Sequence, residues 1–267
     1  MRKILLFALL FVGQNFLMAQ NAFKGVIEYE ATLRIDVESI KARNPEAAAN
    51  IPDVFNYNEK LHVNGDYGKL ERIIAFGGRG GNVQQQQKQM NRFRRFIPET
   101  YWNFKENKTY TVSSLPRDSV NMDRYVIANK QDSLAEVKLE KKTKKILGYE
   151  CKKATVKFKD DNFTVWYTTD LGFTYSPMPQ SSNSMKTMRG PGGMNFEFPA
   201  IIIDKAVILS IEGTDIGFEA KKITPEEVAL ETVKIPEDAQ KVTQEEYAEL
   251  MKKRRQNFVK MMGGGRN

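Results

Sequence analysis

A single cysteine and a single histidine in 267 residues remove much of the chemistry that a chain of this length can carry. With Cys151 alone there is no intramolecular disulfide, and no cysteine near the N-terminus to take a lipid anchor. His62 has no partner motif around it, and neither an HExxH zinc site nor a CxxC, GxSxG, phosphate-loop or EF-hand pattern is present. The glycine-rich GGRGG at residues 77–81 lacks the following GK[ST] and spaces the chain without cradling phosphate. The acid pairs Glu226-Glu227 and Asp160-Asp161 fall at an apparent helix start and a turn, where carboxylates are ordinary. Cys151 lies in a strand-like run and reads as a small buried hydrophobe.

What is present begins with a leader. Arg2 and Lys3 precede the apolar run from Ile4 to Val12, and Ala19 offers a small residue for cleavage. Gly13, Gln14 and Asn15 cut that run short of the ~20 residues a spanning helix needs. Residues 1–20 are therefore expected to be a signal peptide. The mature protein is expected in the periplasm or at the outer membrane, with no transmembrane segment after cleavage. Loss of Arg2 and Lys3, with no acid, lowers the formal excess from +8 to +6. Arg79, Lys88, Arg92, Arg94 and Arg95 form one basic cluster and residues 252–255 another. Export argues against nucleic acid as their partner, and leaves a solvated face or anionic lipid.

Strand patterning dominates the rest. Ile27, Tyr29, Ala31, Leu33, Ile35 and Val37 alternate with Glu28, Glu30, Thr32, Arg34 and Asp36, predicting one long strand with a buried and a wet side. Residues 38–50 predict one or two helical turns limited by Pro45 and Pro52. Asn64-Gly65 between apolar runs predicts a hairpin, lengthened if residues 66–68 join the turn. Further strands are expected at 101–104, 109–112, 148–158, 163–169, 198–203, 206–212 and 217–223, with 125–128 and 136–140 expected as a pair. A turn is expected at 160–162. The slip of apolar parity between Cys151 and Ala154 predicts a bulge near Lys152 and Lys153. Residues 77–95 and 175–195, rich in Gly, Gln, Pro and Ser, read as flexible insertions in a β domain spanning 21–235. Thr243 and Glu246 form a capping box, and Tyr247, Leu250, Met251, Phe258, Met261 and Met262 recur near helical spacing. The segment 236–267 is thus an amphipathic C-terminal helix with a frayed tail, and packing on the sheet is preferred over lying on a membrane.

The stretch KKTKKILGYECKKATVKFKDDNFTVWYTTDL, residues 141–171, resembles the core of the GLPGLI family of exported proteins of gram-negative bacteria. It equally resembles a neighbouring exported domain family with an LGYxCKK and VWYTTDL core. Gly190-Pro191 and the run Glu197 to Ile202 stand where the GLPGLI family has its Gly-Pro step and name-giving motif, with both glycines of that motif replaced. The resemblance implies a curved antiparallel sheet or half-barrel, LolA-like by analogy, and implies no reaction.

On this fold class, mainly β with a C-terminal helix, the expected function is binding without catalysis. Trp102, Phe104, Trp166, Tyr167, Phe198 and Ile202 are candidates to line an apolar face for a hydrophobic ligand or another envelope component, against the plainer reading that they fill the core. No cofactor is implied. The alternative is a soft-metal site, since Met178, Met185, Met188 and Met194 offer thioethers suited to copper. A hydrolase is the third reading, which a buried polar cluster with displaced pKa values would favour.

Overall fold

The computed structural model describes residues 22–43, 45–48, 53–73, 98–117, 121–129, 135–177 and 201–263. The leader, the whole of the insertion 77–95, residues 178–195 of the other and Phe198 lie outside the described residues. Twelve strands form one sheet: β1 (Lys24–Arg34), β2 (Val54–Asn64), β3 (Tyr67–Ile73), β4 (Glu99–Asn103), β5 (Lys108–Pro116), β6 (Met122–Ala128), β7 (Glu136–Ile146), β8 (Tyr149–Phe158), β9 (Asp161–Thr168), β10 (Val207–Glu212), β11 (Ile216–Pro225) and β12 (Gln240–Lys241). Among the described residues four helices accompany them: α1 (Val37–Arg43), α2 (Pro45–Ala48), α3 (Leu230–Val233) and α4 (Gln244–Gly263). The strand order is β12-β6-β5-β4-β3-β2-β1-β11-β10-β9-β8-β7, antiparallel except for the short parallel pair of β12 with β6. The sheet is open, with β7 and β12 at its edges. Fold class therefore follows the sequence expectation: a mainly β, antiparallel architecture with a C-terminal helix.

The period-two strand forms as β1 but ends at Arg34, because Val37 opens α1 and Ile35 packs against Ile40 of that helix instead of extending the sheet. At the Asn-Gly step Asn64 pairs with Tyr67, so the loop is the two residues Gly65 and Asp66, and Gly65 supplies the positive φ of 61° that its first position needs. The loop at 159–160 is likewise tight, with Phe158 pairing Asp161. The strands at 125–128 and 136–140 form, but as β6 and β7 they lie in opposite halves of the sheet.

Two further expectations change. The bulge foreseen on β8 sits on its partner: Leu139 pairs with Ala154 and Thr143 with Lys152, while the β8–β9 ladder runs unbroken. An edge strand carries one ladder only, so β7 absorbs extra residues where doubly paired β8 cannot. Residues 201–203 are not a strand; Ile201 is buried in the core by an irregular segment before β10.

Among the described residues two large apolar clusters hold most of the sheet, and a smaller one of Tyr101, Val112 and Val126 joins β4, β5 and β6. The first large cluster gathers Ala31, Tyr57, Val156, Tyr167, Ile208 and Phe218, among others. The second gathers Ile27, Tyr29, Leu61, Trp102, Phe104, Cys151 and Tyr175, among others. The register of β10 with β9 shifts between Ile208 and Ser210, and Ile208 and Ile211 serve the first cluster while Val207 and Leu209 serve the second. Val207, Ile208 and Leu209 are thus an apolar run buried on both faces, which ends at Ser210.

The segment after β9, expected to loosen from residue 175, is instead packed through Pro177. Tyr175 bridges Val207 in parallel and lies in the second cluster. The capping box of α4 forms as expected, with Glu246 N–H donating to Thr243 Oγ1 at 3.1 Å and Thr243 N–H to Glu246 Oε2 at 2.8 Å. The helix lies on β6, where Tyr247 meets Tyr125 at 6.2 Å between ring centres and Arg254 Nη2 reaches Asp123 Oδ2 at 3.0 Å. That position leaves it away from Ile201. Met251, expected in its apolar stripe, is exposed.

Candidate functional site

Cross-strand register places Tyr29 of β1 opposite Glu59 of β2, and Glu59 opposite Arg72 of β3. All three share the face that carries Leu61 and Leu70, so a carboxylate and a guanidinium stand where the alternation calls for apolar side chains. Glu59 is 0% exposed, and Arg72 Nε donates to its Oε1 at 2.6 Å. Burial pushes the Glu59 carboxyl up from its ordinary range, against the pull of Arg72. Burial also works against the Arg72 charge, but Glu59 and then Tyr57 more than compensate and raise it, so the guanidinium keeps its proton.

Aromatic rings close over this pair. Tyr175 lies 5.8 Å from Tyr29 and 5.1 Å from Trp102, the latter edge to face, and Trp102 stacks with Phe104, which meets Phe173 at 4.5 Å. Tyr29 donates its hydroxyl hydrogen to the Ile208 carbonyl at 2.9 Å, while the Ile208 N–H donates to the Tyr175 carbonyl at 3.0 Å. The backbone of β10 is thus satisfied at the end where Tyr175 stands beside it. Burial, followed by the charge of Glu59, raises the pKa of both Tyr29 and Tyr175. Among the described residues, Glu59 Oε2, Trp102 Nε1 and Tyr175 Oη are buried without a protein hydrogen-bond partner.

The opposite face of the β1–β11–β10 region carries a polar depression. A depression of about 280 Å³ is lined by Glu30, Thr32, Ser210, Glu212, Glu219 and Lys221 with Lys144 and Ile146 at its side. Lys221 bonds Glu219 and lies 3.6 Å from Glu30, and Lys144 lies 3.8 Å from Glu212. The Glu219 carboxylate is the main cause of a raised Lys221 pKa. Trp166 pairs in register with Ser210, so it stands on the same face, and Lys144 Nζ sits 4.3 Å from the centre of its ring. Carboxylates, ammonium groups and hydroxyls beside one indole make a surface that can hydrogen-bond a polar, hydroxyl-bearing ligand and pack against its C–H face.

The aromatic residues singled out in the sequence divide between these places. Trp102 and Phe104 are buried in the second cluster, Tyr167 is buried in the first, and half-buried Trp166 packs against the second cluster and stands beside the outer depression. Ile202 is half-buried next to buried Ile201, and Phe198 lies outside the described residues. So do Met178, Met185, Met188 and Met194. Cys151 is buried, and burial raises its thiol pKa. His62 Nε2 lies 3.4 Å from Glu71. Among the described residues no group of three His, Cys, Asp or Glu is placed to hold a metal.

Glu59 and Arg72 were not singled out from the sequence, although a signal existed. In Tyr57-x-Glu59-x-Leu61-x-Val63 and Leu70-x-Arg72, each charge occupies the apolar parity of its strand, and a two-residue turn at Gly65-Asp66 sets them opposite one another.

Comparisons with known proteins find one family over part of the chain. No curated protein matches. Two solved structures of PNGF-II, in C2 and P21 space groups, are similar at 15% identity, with TM-scores of 0.49 and 0.47. They cover 85% and 86% of this chain, which spans about a third of their length, 32% and 33%. The family described as N-glycanase peptide, N-terminal domain, matches residues 71–184, a stretch that holds β4 to β9.

Proposed function

We propose that this chain is an exported, non-catalytic β module that binds a carbohydrate-bearing component of the cell envelope through the outer face of its sheet. The observation that carries this reading is the depression between Glu30, Glu212, Glu219 and Lys221 beside Trp166. Its charged and hydroxyl groups suit a hydroxyl-rich ligand, and an indole face suits the C–H side of a sugar ring. The partial match to an N-glycanase N-terminal domain supports the same ligand class.

An acyl chain is the less favoured occupant of the core. A Cβ on Gly68 would come 2.6 Å from the Phe104 ring, and one on Gly213 2.6 Å from the Phe163 ring, so both clusters are packed to contact there. The Glu59 cluster is the feature that favours a hydrolase. Its carboxylate is wholly buried and already held by Arg72, an arrangement suited to holding β2 and β3 together more than to meeting a substrate.

Incubation with a soluble N-glycosylated peptide tests the reading. The peptide mass should stay unchanged while tryptophan fluorescence shifts on binding, and the shift should vanish in Trp166→Phe. Release of the glycan would make the chain an enzyme, and a shift that survives Trp166→Phe would remove the outer face as the site.

A further inference from the structure

The turn between β7 and β8 departs from ordinary hairpin chemistry. Ile146 pairs with Tyr149, so Leu147 and Gly148 are its two central residues, and their φ values are 50° and 88°. A turn with positive φ at both positions selects Asn, Asp or Gly first, because a larger side chain crowds the backbone in the left-handed region. Of the non-glycine residues with positive φ among those described, Asn107, Leu147, Lys159 and Lys205, leucine alone is apolar. It gains little from the core in exchange. Leu147 is 44% exposed, and a Cβ on Gly148 would meet nothing within 4 Å, so the tip stands clear of the rest of the sheet. An apolar side chain kept in a disfavoured backbone conformation, away from the core, points to a contact made elsewhere.

Its surroundings indicate what kind. Lys144 and Lys145 precede the tip, and Lys152 and Lys153 follow it. Alternation and register put Lys145 and Lys152 on one face of the hairpin, with Glu150, and Lys144 and Lys153 on the other. Lys144 is 3.8 Å from Glu212 and Lys153 is 3.1 Å from Glu140, while Lys145 and Lys152 are exposed. Half-buried Ile146 and Tyr149 flank the leucine. A protein groove grips one face of a hairpin, whereas a basic collar on both faces suits a tip that enters a negatively charged plane end-on.

We propose that the β7–β8 tip docks on a bilayer, with Leu147 entering the acyl boundary and the exposed Lys145 and Lys152 meeting anionic headgroups. The lysines supply long-range attraction and the leucine supplies insertion, so both parts are needed and docking is reversible. The inference is separated from the carbohydrate reading through Leu147, Lys145 and Lys152, which do not line the outer depression, whereas Lys144 and Ile146 do.

The test is sedimentation of the full chain with vesicles of phosphatidylcholine, with and without phosphatidylglycerol. Residues 1–20 carry an apolar run of their own, so the readout is the difference between variants of the same chain. Leu147→Asn should weaken binding to the anionic vesicles about tenfold. The same substitution should leave or raise the thermal midpoint, because asparagine accepts the left-handed region. Lys145→Glu with Lys152→Glu should abolish the part of binding that salt screens. Equal binding to both vesicle types, or Leu147→Asn that sediments like wild type, would overturn the proposal. So would a lowered midpoint for Leu147→Asn, which would show that the leucine serves the fold, or capture of a protein on this tip without vesicle binding.

Discussion

Arg72 Nε and Glu59 Oε1 lie 2.6 Å apart across β2 and β3, in register, on a sheet face otherwise given to apolar side chains. The carboxylate is fully buried, and burial outweighs the arginine in setting its pKa. Removing one partner strands the other, whereas removing both leaves an ordinary apolar patch. Glu59→Leu or Arg72→Met alone should therefore cost about 3–5 kcal/mol, and the double variant much less. Urea denaturation of the four proteins of this cycle checks the coupling. Additive losses would show that the pair is not a unit.

Asp123 on β6 and Glu59 in the middle of the sheet on β2 respond to pH with opposite signs. The hydrogen bond from Arg117, aided by Arg254, holds Asp123 below the usual carboxylate range. Its contribution is present above the unfolded pKa of ~3.9 and is lost as pH falls through the folded value. Glu59 is shifted upward, so its contribution is full below the unfolded pKa of ~4.3 and declines as pH rises through the folded value. Asp123→Asn should flatten the acid limb of a stability profile and speed amide exchange in α4. Glu59→Gln should flatten the decline above ~4.3 and leave the acid limb intact. A profile with the two assignments exchanged would contradict the directions of both shifts.

Tyr29 and Tyr175 touch, yet their hydroxyls differ. Tyr29 donates to the Ile208 carbonyl at 2.9 Å, while the Tyr175 oxygen is buried without a protein partner among the described residues. Tyr29→Phe should cost about 1 kcal/mol, and Tyr175→Phe should be neutral or slightly stabilising. Thermal melts of the two variants decide it. A larger loss for Tyr175→Phe would mean that its hydroxyl is bonded.

Gly68 of β3 lies opposite Trp102, beneath the Phe104 ring. A methyl group there would stand 2.6 Å from the ring tip, so Gly68→Ala should cost about 1–3 kcal/mol by overpacking. Trimming the ring in the same chain, Phe104→Leu, should recover part of the loss. No recovery would place the cost in the backbone instead.

How much of this was legible in the sequence depended on range. β1 was visible because Ile27 to Leu33 alternate, and the β2–β3 and β8–β9 hairpins and the Thr243–Glu246 cap were visible because turn and cap chemistry are local, whereas the pairing of 125–128 with 136–140 does not form. The placing of β1 between β2 and β11 was not visible, since pairing of segments some two hundred residues apart leaves no local periodicity. Trp102 and Phe104 were recognised as aromatic anchors, but the rings that cover them, Phe173 and Tyr175, come from a stretch bordering a proline-rich loop. The outer depression was hidden for a related reason. Glu30, Glu212 and Lys221 are ordinary wet-side residues of their own strands, and only the sheet order brings them together.

The most direct test of the binding role is calorimetric titration of one soluble peptide in two forms, with its N-linked glycan and stripped of it. The account predicts saturable heat only for the glycan-bearing form, lost in Trp166→Ala and retained in Glu59→Gln, with the peptide recovered intact. Equal heats for both forms, or recovery of the released glycan, would contradict it.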